Sequence, residues 1–62
     1  MKRGELIRQL VDVGCYLKRH GGKHDIYANP INGKTTPIPR HNEIKESLVL
    51  LIKKQLGISL KE

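Results

Sequence analysis

The sequence predicts a small α+β domain in which two helices flank a three-stranded antiparallel sheet, in the order helix, strand, strand, strand, helix (αβββα). Three observations predict it. Apolar residues recur at three- and four-residue spacing near both ends of the chain; between them the spacing shortens to two; and turns rich in Gly, Asn and Pro punctuate each change of period. Sixty-two residues leave room for one domain with one small core, since so short a chain buries only about 60% of the surface its unfolded form exposes. Residues 1–62 are therefore read as a single domain. The core is expected to be thin and aliphatic, because Tyr16 and Tyr27 are the only aromatic residues.

Over residues 3–13 the apolar positions are Leu6, Ile7, Leu10, Val11 and Val13, mostly along one helical face. Gly14 follows them, where a left-handed residue without a side chain commonly closes a helix. Residues 15–19 alternate, Cys15 and Leu17 against Tyr16 and Lys18, and run into a turn at Gly21 and Gly22. Residues 24–28 alternate again, with Ile26 pointing one way and Asp25 and Tyr27 the other, as the second strand of a hairpin. Asn29, Pro30, Asn32 and Gly33 make the next turn. Residues 34–39 form a third strand, placed at a sheet edge because Pro37 and Pro39 lack the amide hydrogens a central strand needs. Helical spacing then returns, with Leu48, Leu51, Ile52 and Leu56 on one side and a stop at Gly57. Asn42 is one possible cap for this helix; a start near Lys45 is favoured. The connections are short enough for both helices to pack on one sheet face, and residues 59–62 are expected to form a loose tail.

Twelve Lys and Arg against six Asp and Glu give a net charge of +6 and a pI near 9.8. Within residues 18–41, Lys18, Arg19, Lys23, Lys34 and Arg40 oppose only Asp25, so the excess is concentrated in the middle of the chain. This predicts attraction to polyanions, although charge without a motif is equally consistent with a solvated surface. Cys15, the single cysteine, has no partner for an intramolecular disulfide, and no His and Cys stand at zinc-finger spacing. The longest apolar run is residues 48–52, against the roughly 20 residues a membrane span requires, and the first residues lead into an amphipathic segment rather than a signal peptide. A cytoplasmic protein without a membrane segment, metal or other cofactor is expected.

Taken together, the helix ending in Gly14, the strand carrying Arg19, the Gly22, Lys23, His24 turn, and Pro39, Arg40, His41 before the last helix resemble the HicA toxin family over nearly the whole chain. The resemblance implies a fold like that of double-stranded RNA-binding domains. It also implies a toxin of a type II toxin–antitoxin system, acting as an endoribonuclease on messenger RNA (an mRNA interferase) and neutralised by a HicB-type antitoxin. The family's central motif is Gly, Ser, His, whose histidine is needed for activity. Gly22 and His24 match it, while Lys23 stands at the serine position, adding a positive charge beside the histidine and removing any role of a serine hydroxyl.

The chemistry fits these residue types. RNA carries its own nucleophile, the 2′-hydroxyl, so cleavage requires positioning of the sugar, removal of that proton and stabilisation of charge on the phosphate, without a metal in principle. Histidine suits the proton transfer because an ordinary imidazole value of about 6.5 populates both protonation states near neutral pH. His24 is assigned as general base, or as general acid to the leaving 5′-oxygen. Lys18, Arg19 and Lys23 are the candidates for phosphate contact, and Gly22 has close backbone approach to phosphate as a second role beside turn formation.

A lone histidine in an unfamiliar sequence would be read as a strand-end residue without function; the family resemblance and the basic cluster meet at His24 and decide for catalysis. His20 and His41 are read as solvent-facing and left out of the catalytic set. Arg40 reads equally as a contact to RNA or antitoxin and as a solvated loop charge. Lys2 and Arg3 read as solvated, Tyr27 as covering the core edge, and Cys15 as buried and inert. Two other functions compete with the nuclease: a non-catalytic RNA-binding module of the same fold, and a protein-binding domain whose basic face meets an acidic partner.

Overall fold

The computed structural model describes residues 1–58; the expected loose tail, residues 59–62, lies outside them. The elements are α1 (Arg3–Asp12), β1 (Tyr16–His20), β2 (His24–Ala28), β3 (Thr35–Pro39) and α2 (Glu46–Gln55). The predicted αβββα order is observed. All strands are antiparallel in the spatial order β1-β2-β3, and β3 lies at an edge as its two prolines require. Lys45 is the N-cap of α2, so the later of the two predicted starts is the observed one.

Both helices end in the same way. Gly14 (φ 100°) and Gly57 (φ 72°) adopt the left-handed conformation. After α1, the Cys15 amide donates to the Leu10 carbonyl and the Gly14 amide to that of Val11. After α2, the amides of Ile58 and Gly57 donate in the same way to the carbonyls of Lys53 and Lys54. These pairs close carbonyls that the helix leaves without partners and turn the chain sharply. The β2–β3 turn seals the end of α2 further: the side-chain amides of Asn29 and Asn32 both donate to the Leu56 carbonyl, at 2.9 and 3.0 Å.

Leu6, Leu10, Cys15, Tyr27, Ile38, Ile44, Val49, Ile52 and Leu56 form the core. The expected apolar sides hold in part. On α1, Leu6 and Leu10 are buried, but Val11 and Val13 are half exposed. On α2, Val49 is buried in place of Leu51, which is 46% exposed. A short chain has too little core to cover every apolar residue along a helix, so the stripe narrows to the positions that face the sheet. The helices also touch through polar groups: Lys53 Nζ donates to Gln9 Oε1 at 2.7 Å, and the Thr36 hydroxyl on β3 donates to Gln55 Oε1 at 2.6 Å.

Residues directly opposed in an antiparallel ladder share a face, as do alternate residues along a strand. Asp25 and Tyr27 of β2 pair with Ile38 and Thr36 of β3, and all four are buried, so this face meets the helices. The other face carries His24 and Ile26 of β2, paired with Pro39 and Pro37. On β1 the register shifts between Leu17 and Arg19, leaving Lys18 as an extra, bulged residue. The shift reverses the alternation beyond it. Arg19 pairs with Ile26 and joins the face away from the helices, whereas His20 pairs with Asp25 and turns toward them.

Candidate active site

The hairpin between β1 and β2 carries most of the residues singled out in the sequence. Gly21 donates its amide to the His24 carbonyl at 2.7 Å, closing a turn whose tip is Gly22 and Lys23. The two glycines differ in what the fold demands of them. A Cβ on Gly21 would lie 2.8 Å from the His24 carbonyl oxygen, whereas around a Cβ on Gly22 there is open space. Gly21 is thus required by the close approach of the strands, whereas the fold leaves room for a side chain at Gly22.

His24 is exposed at the first position of β2, and Lys23, Lys18 and Arg19 are exposed as well. His24 and Arg19 share the face of the sheet away from the helices, with Lys23 in the turn beside them. His41 is exposed too and lies beyond β3.

A second group of residues meets on the opposite side of the same hairpin, around Asp25. Its carboxylate accepts four hydrogen bonds. Oδ1 takes one from His20 Nδ1 (2.9 Å) and two from Arg40, Nε at 3.1 Å and Nη2 at 2.9 Å. Oδ2 takes one from Arg3 Nη2 at 2.7 Å. Arg3 Nε also donates to the Pro39 carbonyl at 2.7 Å, and Arg40 Nη2 to the Gly21 carbonyl at 3.0 Å. The Asp25 carboxyl is held down at about 2; the His20 hydrogen bond is the largest cause, followed among the lowering contributions by the bonds and charge of Arg40, while burial pushes the other way. Because the ionised carboxylate only accepts, His20 Nδ1 carries the proton in this bond, and Nε2 is the ring nitrogen left over. The His20 side chain is 70% exposed.

The network changes three expectations. Arg3 is not a solvated charge: it ties the first turn of α1 to the end of β3 and to Asp25, with its side chain only 23% exposed. Arg40 is not a loose loop charge: it clamps the carbonyl of Gly21 to Asp25 and keeps 44% of its side chain in solvent. His20 faces solvent as expected, but in a bond that fixes its tautomer. It does not join His24, because the bulge turns the two imidazoles to opposite faces. The hub, Asp25, was missed, since a lone acid among basic residues signals only reduced charge. The signal that could have found it is its alternation with Tyr27, which places a carboxylate on the core-facing side, where burial requires charged partners.

Cys15 is buried, and burial pushes its thiol up, as an inert core residue requires. Among the described residues no three His, Cys, Asp or Glu side chains gather as a metal-binding group. No helix among them is long and apolar enough to cross a membrane.

No curated protein and no solved structure matches the chain significantly. The profile of a family described as HicA toxin of bacterial toxin-antitoxin matches residues 3–58, a span that takes in every element of the fold, the hairpin with His24 and the Asp25 network. The chain belongs to the HicA toxin family of bacterial toxin–antitoxin systems.

Proposed function

We propose that this toxin is an endoribonuclease that cuts messenger RNA, with His24 as its catalytic residue, and that a HicB-type antitoxin silences it by covering the same face. The observation that carries the reading is the placement of His24: exposed at the first position of β2, beside the lysine of the turn and on one face with Arg19. In the proposed step the 2′-oxygen loses its proton and attacks the adjacent phosphorus, and the bond from phosphorus to the 5′-oxygen breaks as that oxygen gains a proton. A 2′,3′-cyclic phosphate and a 5′-hydroxyl result. His24 serves one of the two proton transfers, from the 2′-hydroxyl or to the 5′-oxygen. Lys18, Arg19 and Lys23 offset the charge that builds on the phosphoryl oxygens, and the open backbone at Gly22 lets phosphate approach the turn. Arg40 serves by holding the turn, through Gly21, and by offering its exposed edge to RNA. The step as written uses no metal ion and takes place in the cytoplasm, where the messenger is.

An acidic antitoxin suits this surface, because charge complementarity speeds encounter and blocks the substrate at once. The test is induction of the wild-type chain and of His24→Ala in cells lacking the antitoxin, with the variant checked for accumulation as folded protein. Growth arrest and fragmented messenger RNA are expected from the wild type alone. Equal cleavage by both removes His24 from the chemistry, and cleavage by neither favours the non-catalytic RNA-binding module.

A further inference from the structure

The sheet face away from the helices has a chemical character that the proton transfer at His24 does not require. Along it stand Tyr16, Arg19, Ile26 and His24, placed there by the pairings of Tyr16 with Ala28 and of Arg19 with Ile26. Tyr16 is 47% exposed, whereas Tyr27, the other aromatic of the chain, is 8% exposed and lies in the core. Carboxylates are kept off this face: among the described residues Glu5 and Asp12 belong to α1, Glu43 and Glu46 to the start of α2 and the segment before it, and Asp25 faces the helices. The face therefore combines an uncommitted ring, a guanidinium and an imidazole without an opposing negative charge.

We infer that this face is the track for a single strand of RNA, with Tyr16 stacking on a base and Arg19 contacting the phosphate backbone between Tyr16 and His24. The inference rests on the nuclease reading and names the form of RNA that the same site takes. Aromatic rings on a basic surface suit unpaired bases, every one of which offers a π-face. A duplex hides its bases and is read through phosphates and 2′-hydroxyls, which need no ring. Along β2 the Tyr16 end of the track lies four residues from His24, about 13 Å at strand rise. The stacked base therefore lies away from the phosphate being cut and fixes the register of the strand rather than taking part in the chemistry.

The experiment uses the His24→Ala chain, which on the nuclease reading is expected to hold RNA without cutting it, a fluorescent single-stranded oligoribonucleotide of mixed sequence, and a duplex of equal length. Tyr16→Leu on that background is expected to weaken single-strand binding roughly 5- to 150-fold, as for loss of one stacked base. Tyr16→Phe keeps affinity within about twofold, because the ring is what stacks. In the His24→Ala chain that retains both tyrosines, added RNA should shift the ring protons of Tyr16 and leave those of Tyr27 in place, a readout that needs no substitution at Tyr16. Unchanged binding by folded Tyr16→Leu, or stationary Tyr16 ring protons in the presence of bound RNA, overturns the inference, as does preference for the duplex. A face that binds an acidic protein but no RNA also overturns it. The two readings fail separately: a wild-type chain that binds RNA along this face and cuts nothing sinks the nuclease alone, while one that cuts with or without the Tyr16 ring sinks the track alone.

Discussion

At the scale of single residues, Asp25 and Gly21 are bonded into the turn that precedes His24: Asp25 anchors Arg40, Arg40 donates to the Gly21 carbonyl, and the Gly21 amide donates to the His24 carbonyl. Asp25 has a depressed pKa, so its stabilising contribution is fully present above the unfolded value near 4 and is lost as pH falls through the folded value of about 2. Wild-type stability is expected to decline over that interval, and Asp25→Asn should start lower at neutral pH and decline less, as read by urea unfolding at several pH values. If both chains lose stability in parallel between pH 4 and 2, the carboxylate is not the group being titrated. Gly21→Ala forces a Cβ against the His24 carbonyl and is expected to cost about 1–3 kcal/mol, lowering cleavage as His24 shifts. Gly22→Ala meets open space and should leave the midpoint of unfolding unchanged; a fall in cleavage there would then report the approach of phosphate. The two roles left to His24 separate by pH–rate profile, an ascending limb marking the base and a descending limb the acid.

At the scale of elements, the helix ends decide where the chain turns. Gly14→Ala places a side chain at φ 100° and is expected to destabilise by about 1–2 kcal/mol. Gly57→Ala should cost more, because its Cβ also collides with the side chain of Asn32. Asn29→Ala removes one bond to the Leu56 carbonyl and another from the Ile31 amide; a loss of about 1–3 kcal/mol is expected, since the buried carbonyl keeps only Asn32. Equilibrium denaturation of the three variants gives the order. Equal effects of the two glycine substitutions would show that the turn yields to relieve the clash. Element identity was legible in the sequence because period and breakers agreed at the turns and at both helix ends, although neither helix starts on a capping side chain. Side-chain direction was less so: Leu51 has the spacing of a core residue and lies exposed, while Val49 is buried in its place.

At the scale of the molecule, the charge excess is arranged by the sheet. Among the described residues the carboxylates lie on the helices, before α2 or, as Asp25, toward the helices, and the opposite face presents Arg19 with His24. RNA binding should therefore fall steeply with salt, and Arg19→Gln should reduce the slope of log affinity against log salt by about 0.7, the value for one lost contact to a single strand. A slope unaltered by Arg19→Gln would place the phosphates elsewhere. Antitoxin that binds only the folded toxin should raise the melting temperature with concentration. A His24→Ala toxin should respond as strongly as the wild type if the antitoxin reads the whole face rather than the imidazole.

The sequence by itself determined the order of the elements, the edge position of the strand with Pro37 and Pro39, both glycine stops and the family, because each depends on local chemistry or on the pattern of neighbours along the chain. It also singled out His24 together with the basic residues near it. Only the tertiary structure decided which of those residues stand together. One bulged residue, Lys18, reverses the alternation of β1, a change that no periodicity announces, and so sends Arg19 to the face of His24 and His20 to Asp25. The partners of Asp25 come from α1, β1 and the end of β3. Residues 3, 20, 25 and 40 meet because the strand pairing sets His20 beside Asp25 and because Arg3, in the first turn of α1, reaches Asp25 and the end of β3. Pairing of distant segments is set by the burial of the whole core, and no local stretch of sequence records it.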